Sequence, residues 1–325
     1  MLKMQNVQAK TFSANDIKNF FGAFATPVIG VFIFLMLWSF LAPKVVTSLG
    51  AVPGPQQVYS QFSALVDEHK NERQKEVAFN ERQRIRNEKK LAKNPDAKVK
   101  IRKYAGNPTF FDQIITSIVT VMAGFLLASV IAIPIGIVAG LSKTIYAGLN
   151  PLVQIFKPVS PLAWLPIVTM IVSATYVTTD DAWFDKSFLN SAITVLLCCL
   201  WPTIISTAVG VTNVSKDLQN VSKVLRLNWW THVIKIVLPS AIPMIFTGLR
   251  LSLGIAWMVL IAAEMLSQNP GLGKFVWDEF QNGSSNSLGR IMVAVVVIGL
   301  IGFLLDRIML YLQRKVSWDK SVALR

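Results

Sequence analysis

The chain has 325 residues, of which 53% are apolar and only 15% are charged, and this composition excludes a soluble globular domain of that size. The formal net charge is +14, and the basic residues that produce it lie between apolar runs. This position favours contact with anionic lipid and a role in membrane topology over nucleic-acid binding. The two cysteines, Cys198 and Cys199, are adjacent within an apolar run, so we predict neither a disulfide framework nor a metal site.

Six segments approach the length of about 20 mainly apolar residues that a membrane-spanning helix needs. We therefore predict an all-α integral membrane protein with about six transmembrane helices, at roughly 22–42, 113–141, 151–174, 188–211, 242–266 and 289–311. In the second span, Gly124, Gly136 and Gly140 are small residues that let helices approach closely. The third span contains four prolines, so we expect it to begin with an irregular turn and to become regular only after Trp164.

The charge of the short loops predicts the orientation. Lysines are concentrated on the side of the N-terminus, at Lys143, Lys216, Lys223 and Lys235, and the positive-inside rule places that side in the cytoplasm. We therefore predict cytoplasmic termini. The expected domains are an N-terminal segment at 1–21, a first transmembrane helix at 22–42, a five-helix core at 113–312 with a cytoplasmic loop at 215–243, and a cytoplasmic tail at 313–325.

A charged insert at 67–105 separates the first two predicted spans and holds 13 Lys and Arg against 7 Asp and Glu. We predict that it is helical or disordered, with a break near Asn94 and Pro95, and that it lies in the periplasm. Long loops follow the positive-inside rule weakly, so its basic charge does not exclude that side. A solvated appendage is the simpler interpretation, and a docking surface for a periplasmic partner is the alternative.

The segment 220–250 is basic and amphipathic and lies between two long apolar runs. Its predicted polar face carries Lys223, Arg226, His232 and Lys235. We expect Pro239 and Pro243 to end the segment, since proline lacks an amide donor. The apolar positions recur at helical spacing and are Val221, Val224, Leu225, Val233, Ile234 and Val237.

Three blocks of sequence carry a resemblance to a known family. They are NPLVQIFKPVSPLAWLPI at 150–167, the segment 220–250 that ends in LPSAIPMIFTGLR, and GIAWMVLIAAEMLSQNPGLGKFVW at 254–277. In these blocks the chain resembles the membrane subunit of an ABC importer, in the permease group for nitrate, nitrite, cyanate and bicarbonate. The resemblance covers about residues 20–311 apart from the charged insert. It implies the architecture of a type I importer permease.

The resemblance also implies which residues contact an ATPase. The general loop pattern of such importers has Glu-Ala-Ala followed three residues later by glycine. This chain instead has Asn220, Val221 and Ser222, and it has Arg226 at the glycine position. Arginine adopts a positive backbone φ less readily than glycine. The implied coupling residues are Asn220, Val221, Ser222, Lys223, Val224, Leu225, Arg226, Leu227 and Pro239.

The chain lacks a phosphate-binding loop of the form G-x-x-x-x-G-K-[ST], because the stretch from Gly271 to Lys274 has the wrong spacing. We therefore predict that the chain is not an enzyme, that it binds no cofactor, and that ATP and Mg²⁺ belong to a separate subunit. The implied partners are ABC ATPase subunits, a periplasmic or lipid-anchored substrate-binding protein, a second permease copy in a homodimer, and membrane lipid. The implied location is the bacterial inner membrane, with several spans.

Two ionisable residues lie within the predicted spans, and a charge at the bilayer centre costs about 2.5–3.5 kcal/mol on insertion scales. Both should therefore face protein or water. One interpretation is that Arg250 and Lys157 together make the transport cavity favourable to an anion. The alternative is that Arg250 anchors its helix at the membrane interface or forms a salt bridge between packed helices. Glu264 either lines the path of the transported anion or lies near the outer end of its helix, where it hydrogen-bonds the following loop. The candidate path residues are Arg250, Glu264 and Lys157.

These observations predict the permease subunit of an ATP-driven importer for a small inorganic anion, with nitrate or nitrite as the first choice. Bicarbonate, cyanate and sulfonate or taurine are alternative substrates. A stand-alone ion-coupled secondary transporter would show inverted repeats with broken helices, and no convincing repeat relates the two halves. A membrane anchor or sensor that works through the charged insert would leave the segment 220–250 unexplained.

Overall fold

Helices make up nearly all of the structure, because a chain in a bilayer must satisfy its backbone polar groups within its own helices. The computed structural model describes residues 14–47, 50–94, 99, 101–177, 184–284 and 286–316. Most of the predicted N-terminal segment, 1–13, and of the predicted tail, 317–325, lies outside the described residues.

The described helices are, in chain order, α1 Ala14–Leu41, α2 Pro55–Lys93, α3 Phe110–Leu141, α4 Lys143–Phe156, α5 Pro161–Thr175, α6 Lys186–Thr212, α7 Lys216–Val224, α8 Trp229–His232, α9 Leu238–Ser267, α10 Leu272–Asn282 and α11 Ser287–Val316. A π-helical turn, Val233–Val237, joins α8 to α9. A 3-10 turn, Ala42–Lys44, and a hairpin of β1 Val46–Thr47 and β2 Gly50–Ala51 lead from α1 to α2. The antiparallel strands pair Val46 with Ala51.

Among the described residues, five helices are long and apolar enough to cross a membrane, and the number is six if α4 and α5 count as one span. The prediction of an all-α membrane protein is confirmed. Within the predicted third span, α4 and α5 meet at a bend of 100°, and α5 is regular from Pro161 rather than only after Trp164. Proline fits the first turn of α5, where its missing N–H has no intrahelical partner.

The centre of the bundle is formed by α3, α6 and α9. Gly124, Gly136 and Gly140 of α3 face α6 so closely that an added Cβ would lie within 2.8 Å of α6 atoms. The predicted role of these glycines in close helix approach is therefore confirmed. Between α6 and α9, the buried hydroxyls of Thr203 and Ser252 lie 2.6 Å apart, so each satisfies the other.

The first half of α2 packs against the beginnings of α3 and α11. Leu65 is buried there, Arg73 donates to Asp112 of α3 over 2.9 Å, and Glu68 pairs with Arg290 of α11. The charged insert thus begins inside a 39-residue helix that ends at Lys93. We call this end of the bundle, where α3 and α11 begin and α9 ends, the α2 end. The opposite end, where α3 ends and α9 begins, is the α7 end.

Candidate functional site

The candidate coupling segment forms a short helix, a turn and a second helix at the α7 end. Ser215 caps the start of α7, where its hydroxyl accepts from the backbone N–H of Leu218. Asn228 caps the start of α8, where its side-chain oxygen accepts from Thr231 N over 2.8 Å. Serine and asparagine are favoured at such positions because their side chains satisfy a free amide of the first turn. Local sequence therefore sets both helix starts.

Arg226 adopts the backbone conformation that glycine adopts most readily. Its φ is +48°, its N–H donates to Lys223 O over 3.1 Å, and Leu227 N donates to Ser222 O over 3.1 Å. These two bonds form a Schellman motif, which ends helices with a left-handed residue that is usually glycine. The turn expected at the glycine position therefore forms with arginine, although an L-residue in this conformation costs about 1–2 kcal/mol.

The turn folds α7 back against α8 and the π-helical turn. Ser222 is buried, and its hydroxyl lies 2.8 Å from Nδ1 of His232. Ser222 is one of the implied coupling residues, and His232 belongs to the predicted polar face. In the structure their contact holds the two helices of the segment together. A cavity of about 600 Å³ lies beside this contact, and its lining includes Leu141, Tyr146, Thr212, Gln219, His232 and Val237.

The predicted apolar face divides into two parts with different surroundings. Val233 and Val237 are buried, and Val237 packs with Val211 and Ile245 of the bundle. The other members face outward, and Val224 and Leu225 are 81% and 63% exposed. The single apolar face drawn from the helical period is therefore wrong: the turn at Arg226 ends α7, and after it Ile234 faces outward whereas Val233 and Val237 are buried. We call the exposed large apolar residues of the loop 215–243 the apolar patch, and it consists of Leu218, Val221, Val224, Leu225, Trp229, Trp230 and Ile234.

Leu218, Trp229 and Trp230 of the apolar patch were missing from the sequence-based set. Trp229 and Trp230 contact each other edge to face, with ring centroids 4.7 Å apart. A pair of adjacent tryptophans in the interval between Arg226 and Lys235 was the signal that could have found them. The same pair would also suit a membrane–water interface.

Pro239 and Pro243 do not end the segment. Pro239 lies in the first turn of α9, Pro243 lies inside α9, and the helical path is continuous over Trp229–Ser267. Only Leu238 lies between the π-helical turn and Pro239, and the wider ring of hydrogen bonds in that turn accommodates a residue that lacks an N–H. The prediction that these prolines close the segment is wrong for this reason. The segment continues into a central helix of the bundle.

Glu264 is fully buried at the α2 end, where its carboxylate bonds the loop that follows α9. Ser117 Oγ lies 2.8–2.9 Å from both carboxylate oxygens, and Gly273 N donates over 3.0 Å. Asn269 Nδ2 lies 3.4 Å away, and Leu272 N donates to Ser117 Oγ over 2.8 Å. These contacts join α3, α9 and α10. They correspond to the loop-bonding alternative for Glu264.

Arg250 and Lys157, the other two path candidates, have different surroundings. Arg250 of α9 forms a two-pronged ion pair with Asp306 of α11, with Nη2 3.0 Å from Oδ2. Lys157 is exposed in the break between α4 and α5. Next to it, Phe156 stacks on Trp201 of α6 with ring centroids 5.6 Å apart. The contacts of the described residues do not bring Arg250, Glu264 and Lys157 together.

Comparison with known proteins identifies the family. Residues 132–318 match the family described as binding-protein-dependent transport system inner membrane component. The nitrate import permease protein NrtB of Synechococcus elongatus is 37% identical over 205 residues, which are 63% of this chain and 69% of that protein. The bicarbonate transport system permease protein CmpB of the same organism is 38% identical over 205 residues, which are 63% and 68% of the two chains.

Solved structures share the fold at low sequence identity. An inward-facing MetNI methionine ABC transporter gives a TM-score of 0.54 at 13% identity and covers 63% of this chain and 95% of that chain. An amino acid ABC transporter gives a TM-score of 0.52 at 10% identity and covers 63% and 93%. The predicted architecture of an ABC importer permease is confirmed by these two structures.

Proposed function

Because this chain belongs to the family of inner membrane components of binding-protein-dependent transport systems, we propose that it is the translocating subunit of an ATP-driven importer of a small inorganic anion. Nitrate is the substrate we propose first. The similarity to nitrate import permeases supports this choice. Bicarbonate is the second choice, because the bicarbonate permeases are similar to the same degree.

The apolar patch is the observation that carries the proposed coupling to an ATPase. Val221, Val224 and Leu225 lie on one exposed side of α7, next to the basic residues Lys223 and Arg226. A short amphipathic helix of this kind fits a groove in a partner protein. The chain has no phosphate-binding loop of its own. A separate ATPase with an apolar groove and acidic borders is the partner that suits this surface.

The connection from α7 to the bundle suggests how force is transmitted. Ser222 and His232 link α7 to the beginning of the continuous helix that becomes α9. Closure of two ATPase subunits would push α7 and tilt α9 with its neighbours, which is a rigid-body change of packing. The cavity beside His232 leaves room for such movement. A second permease copy completes the translocation path in this proposal.

We assign the role of attracting the anion first to Lys157. The positive charge of Arg250 is neutralised by its ion pair with Asp306. A carboxylate does not attract an anion, and Glu264 is already enclosed by backbone and hydroxyl groups. Lys157 is exposed and forms no ion pair within the described part of the chain. A lysine at the break between two helices adds positive potential where water and an anion can reach it.

Reconstitution tests the proposed function. The purified chain is placed in liposomes with and without its co-purifying ATPase, and a substrate-binding protein is added outside. Uptake of labelled nitrate, bicarbonate, cyanate and taurine is then measured. We expect uptake of nitrate that requires ATP and both partners. Uptake by the chain alone would contradict the proposal and would favour a stand-alone secondary transporter.

A further inference from the structure

The outer half of α2 carries its basic residues on one face. Five of them are spaced at i, i+4, i+7, i+8 and i+11, so they cover an arc of about 100° over roughly 16 Å of helix. All five are exposed. We call this set the basic stripe, and it consists of Arg82, Arg86, Lys89, Lys90 and Lys93.

The carboxylates of this half of α2 are paired with a different arginine. Glu81 and Glu88 both pair with Arg84, at 3.2 and 3.5 Å, on the side of the helix away from the basic stripe. Within the described residues, the members of the basic stripe form no ion pair. Like charges four residues apart, such as Arg82 and Arg86, destabilise an isolated helix. Lys90 and Lys93 lie in the last turn of α2, where positive charge favours the helix dipole, but the repeated like charges at Arg82, Arg86 and Lys89 do not stabilise the helix.

The chain that returns from α2 to α3 holds the outer half of α2 in place. Gln83 bonds the backbone of Arg102 in both directions, at 2.8 and 3.1 Å. Tyr104 packs against Phe79 and donates to Glu72 over 2.7 Å, a hydrogen bond that lowers the pKa of the Glu72 carboxyl and raises the pKa of the Tyr104 phenol. The basic stripe is thus presented on a braced helix.

The remaining surface of this half does not suit insertion into a membrane interface. A helix that lies in the interface needs a continuous face of bulky apolar residues. Here Val77, Ile85 and Leu91 are exposed within an arc of about 120° on the side away from the basic stripe. The same arc also carries the charged residues Glu81, Arg84 and Glu88, so it is not a continuous apolar face. A soluble partner with an acidic surface fits these observations better than a lipid surface. Residues 55–93 also lie outside the stretch 132–318 that matches the family.

We propose that the basic stripe docks an acidic surface of the substrate-binding protein. This inference rests on the proposed function, which requires a binding protein at the end of the bundle opposite to α7. Helix α2 lies at that end, where Glu68 pairs with Arg290 at the start of α11. Complementary charge raises the rate of encounter and fixes orientation. The stripe would therefore orient the binding protein over the bundle.

The test compares two triple variants with the same change of charge. R86Q/K89Q/K90Q neutralises three members of the basic stripe, and K70Q/K75Q/R84Q neutralises three cations of α2 that already pair with carboxylates. The full-length permease–ATPase complex is held in nanodiscs of zwitterionic lipid. The dissociation constant for a purified substrate-binding protein that supports uptake is measured at low and high salt. Glutamine preserves helix propensity in both variants.

We expect the stripe variant to bind about tenfold more weakly at low salt, with the difference shrinking to below about twofold at high salt. The control variant should bind within about twofold of the unaltered complex. Equal binding by the stripe variant and the unaltered complex, with uptake intact, would overturn this inference alone. If no binding protein supports uptake, the proposed function and this inference both fail.

A second measurement separates the protein partner from lipid. The same nanodiscs are sedimented with phosphatidylglycerol vesicles. We expect little co-sedimentation and no difference between the two variants. If the stripe variant loses binding to these vesicles and keeps its affinity for the binding protein, the stripe is a lipid contact and the proposal is wrong.

Discussion

At the α2 end, the loop after α9 closes over Glu264, and buried hydroxyl and amide groups satisfy the carboxylate. At the α7 end, Val224 and Leu225 expose most of their surface. Complete burial of an exposed valine or leucine is worth about 1.5–3 kcal/mol. The α2 end is therefore closed by contacts within the chain. The α7 end leaves apolar surface that a partner would cover.

The largest expected effect tests the partner surface at the α7 end. V224D/L225D places two charges in the apolar patch, so we expect ATP-dependent uptake in liposomes to fall to about a tenth or less, because an unpaired charge is costly to bury. The ATPase should also be lost on co-purification. V77D changes a valine on α2 that is 65% exposed, and it should keep normal uptake. Coupled uptake at the normal rate in V224D/L225D would disprove the docking role.

The second prediction concerns stability at the α2 end. E264A leaves Ser117 Oγ and Gly273 N without their acceptor, so we expect a loss of about 3 kcal/mol in the free energy of unfolding. Thermal unfolding of the purified protein in detergent measures this loss. E81A removes an exposed carboxylate that pairs with Arg84, and it should change stability by less than about 0.5 kcal/mol. Equal stability of both variants would remove Glu264 as a structural contact.

The third prediction distinguishes the roles of two cations that lie between these ends, Lys157 and Arg250. K157Q should raise the KM for nitrate about threefold to fivefold, since it removes an exposed positive charge near the break between α4 and α5. R250Q/D306N removes both members of an ion pair, so it should leave this KM unchanged and lower stability by about 1–2 kcal/mol. Initial rates over a range of nitrate concentrations measure KM. The opposite pattern would place Arg250 in the path.

The smallest expected effect concerns the turn that presents the apolar patch. R226G should stabilise the protein by about 0.5–1 kcal/mol, because glycine adopts a positive φ without strain. R226A should give no such gain, since alanine has a Cβ like arginine. Denaturation of the purified variants compares the two. A stability of R226G no higher than that of R226A would show that Arg226 is not strained.

The sequence predicted what depends on local pattern and missed what depends on distant partners. Apolar runs of sufficient length revealed the membrane helices, and Arg226 was identified by its position relative to a known loop pattern. The contact of Glu264 with Ser117 joins residues 147 positions apart, and no local pattern contains it. Helical period alone also placed Val224 and Val237 on one face, whereas the turn at Arg226 directs them to different surroundings. The prolines of the third span marked a break but did not predict the angle between α4 and α5.

The π-helical turn at Val233–Val237 sets the direction in which the tryptophan pair faces. A π-turn closes its hydrogen-bonded ring with one residue more than an α-turn. One residue corresponds to about 100° of rotation around a helix. Removal of a single residue within this turn would restore α-helical geometry and swing Trp229 and Trp230 by about that angle relative to α9. The extra residue thus sets the angle between α9 and the tryptophan pair of the apolar patch.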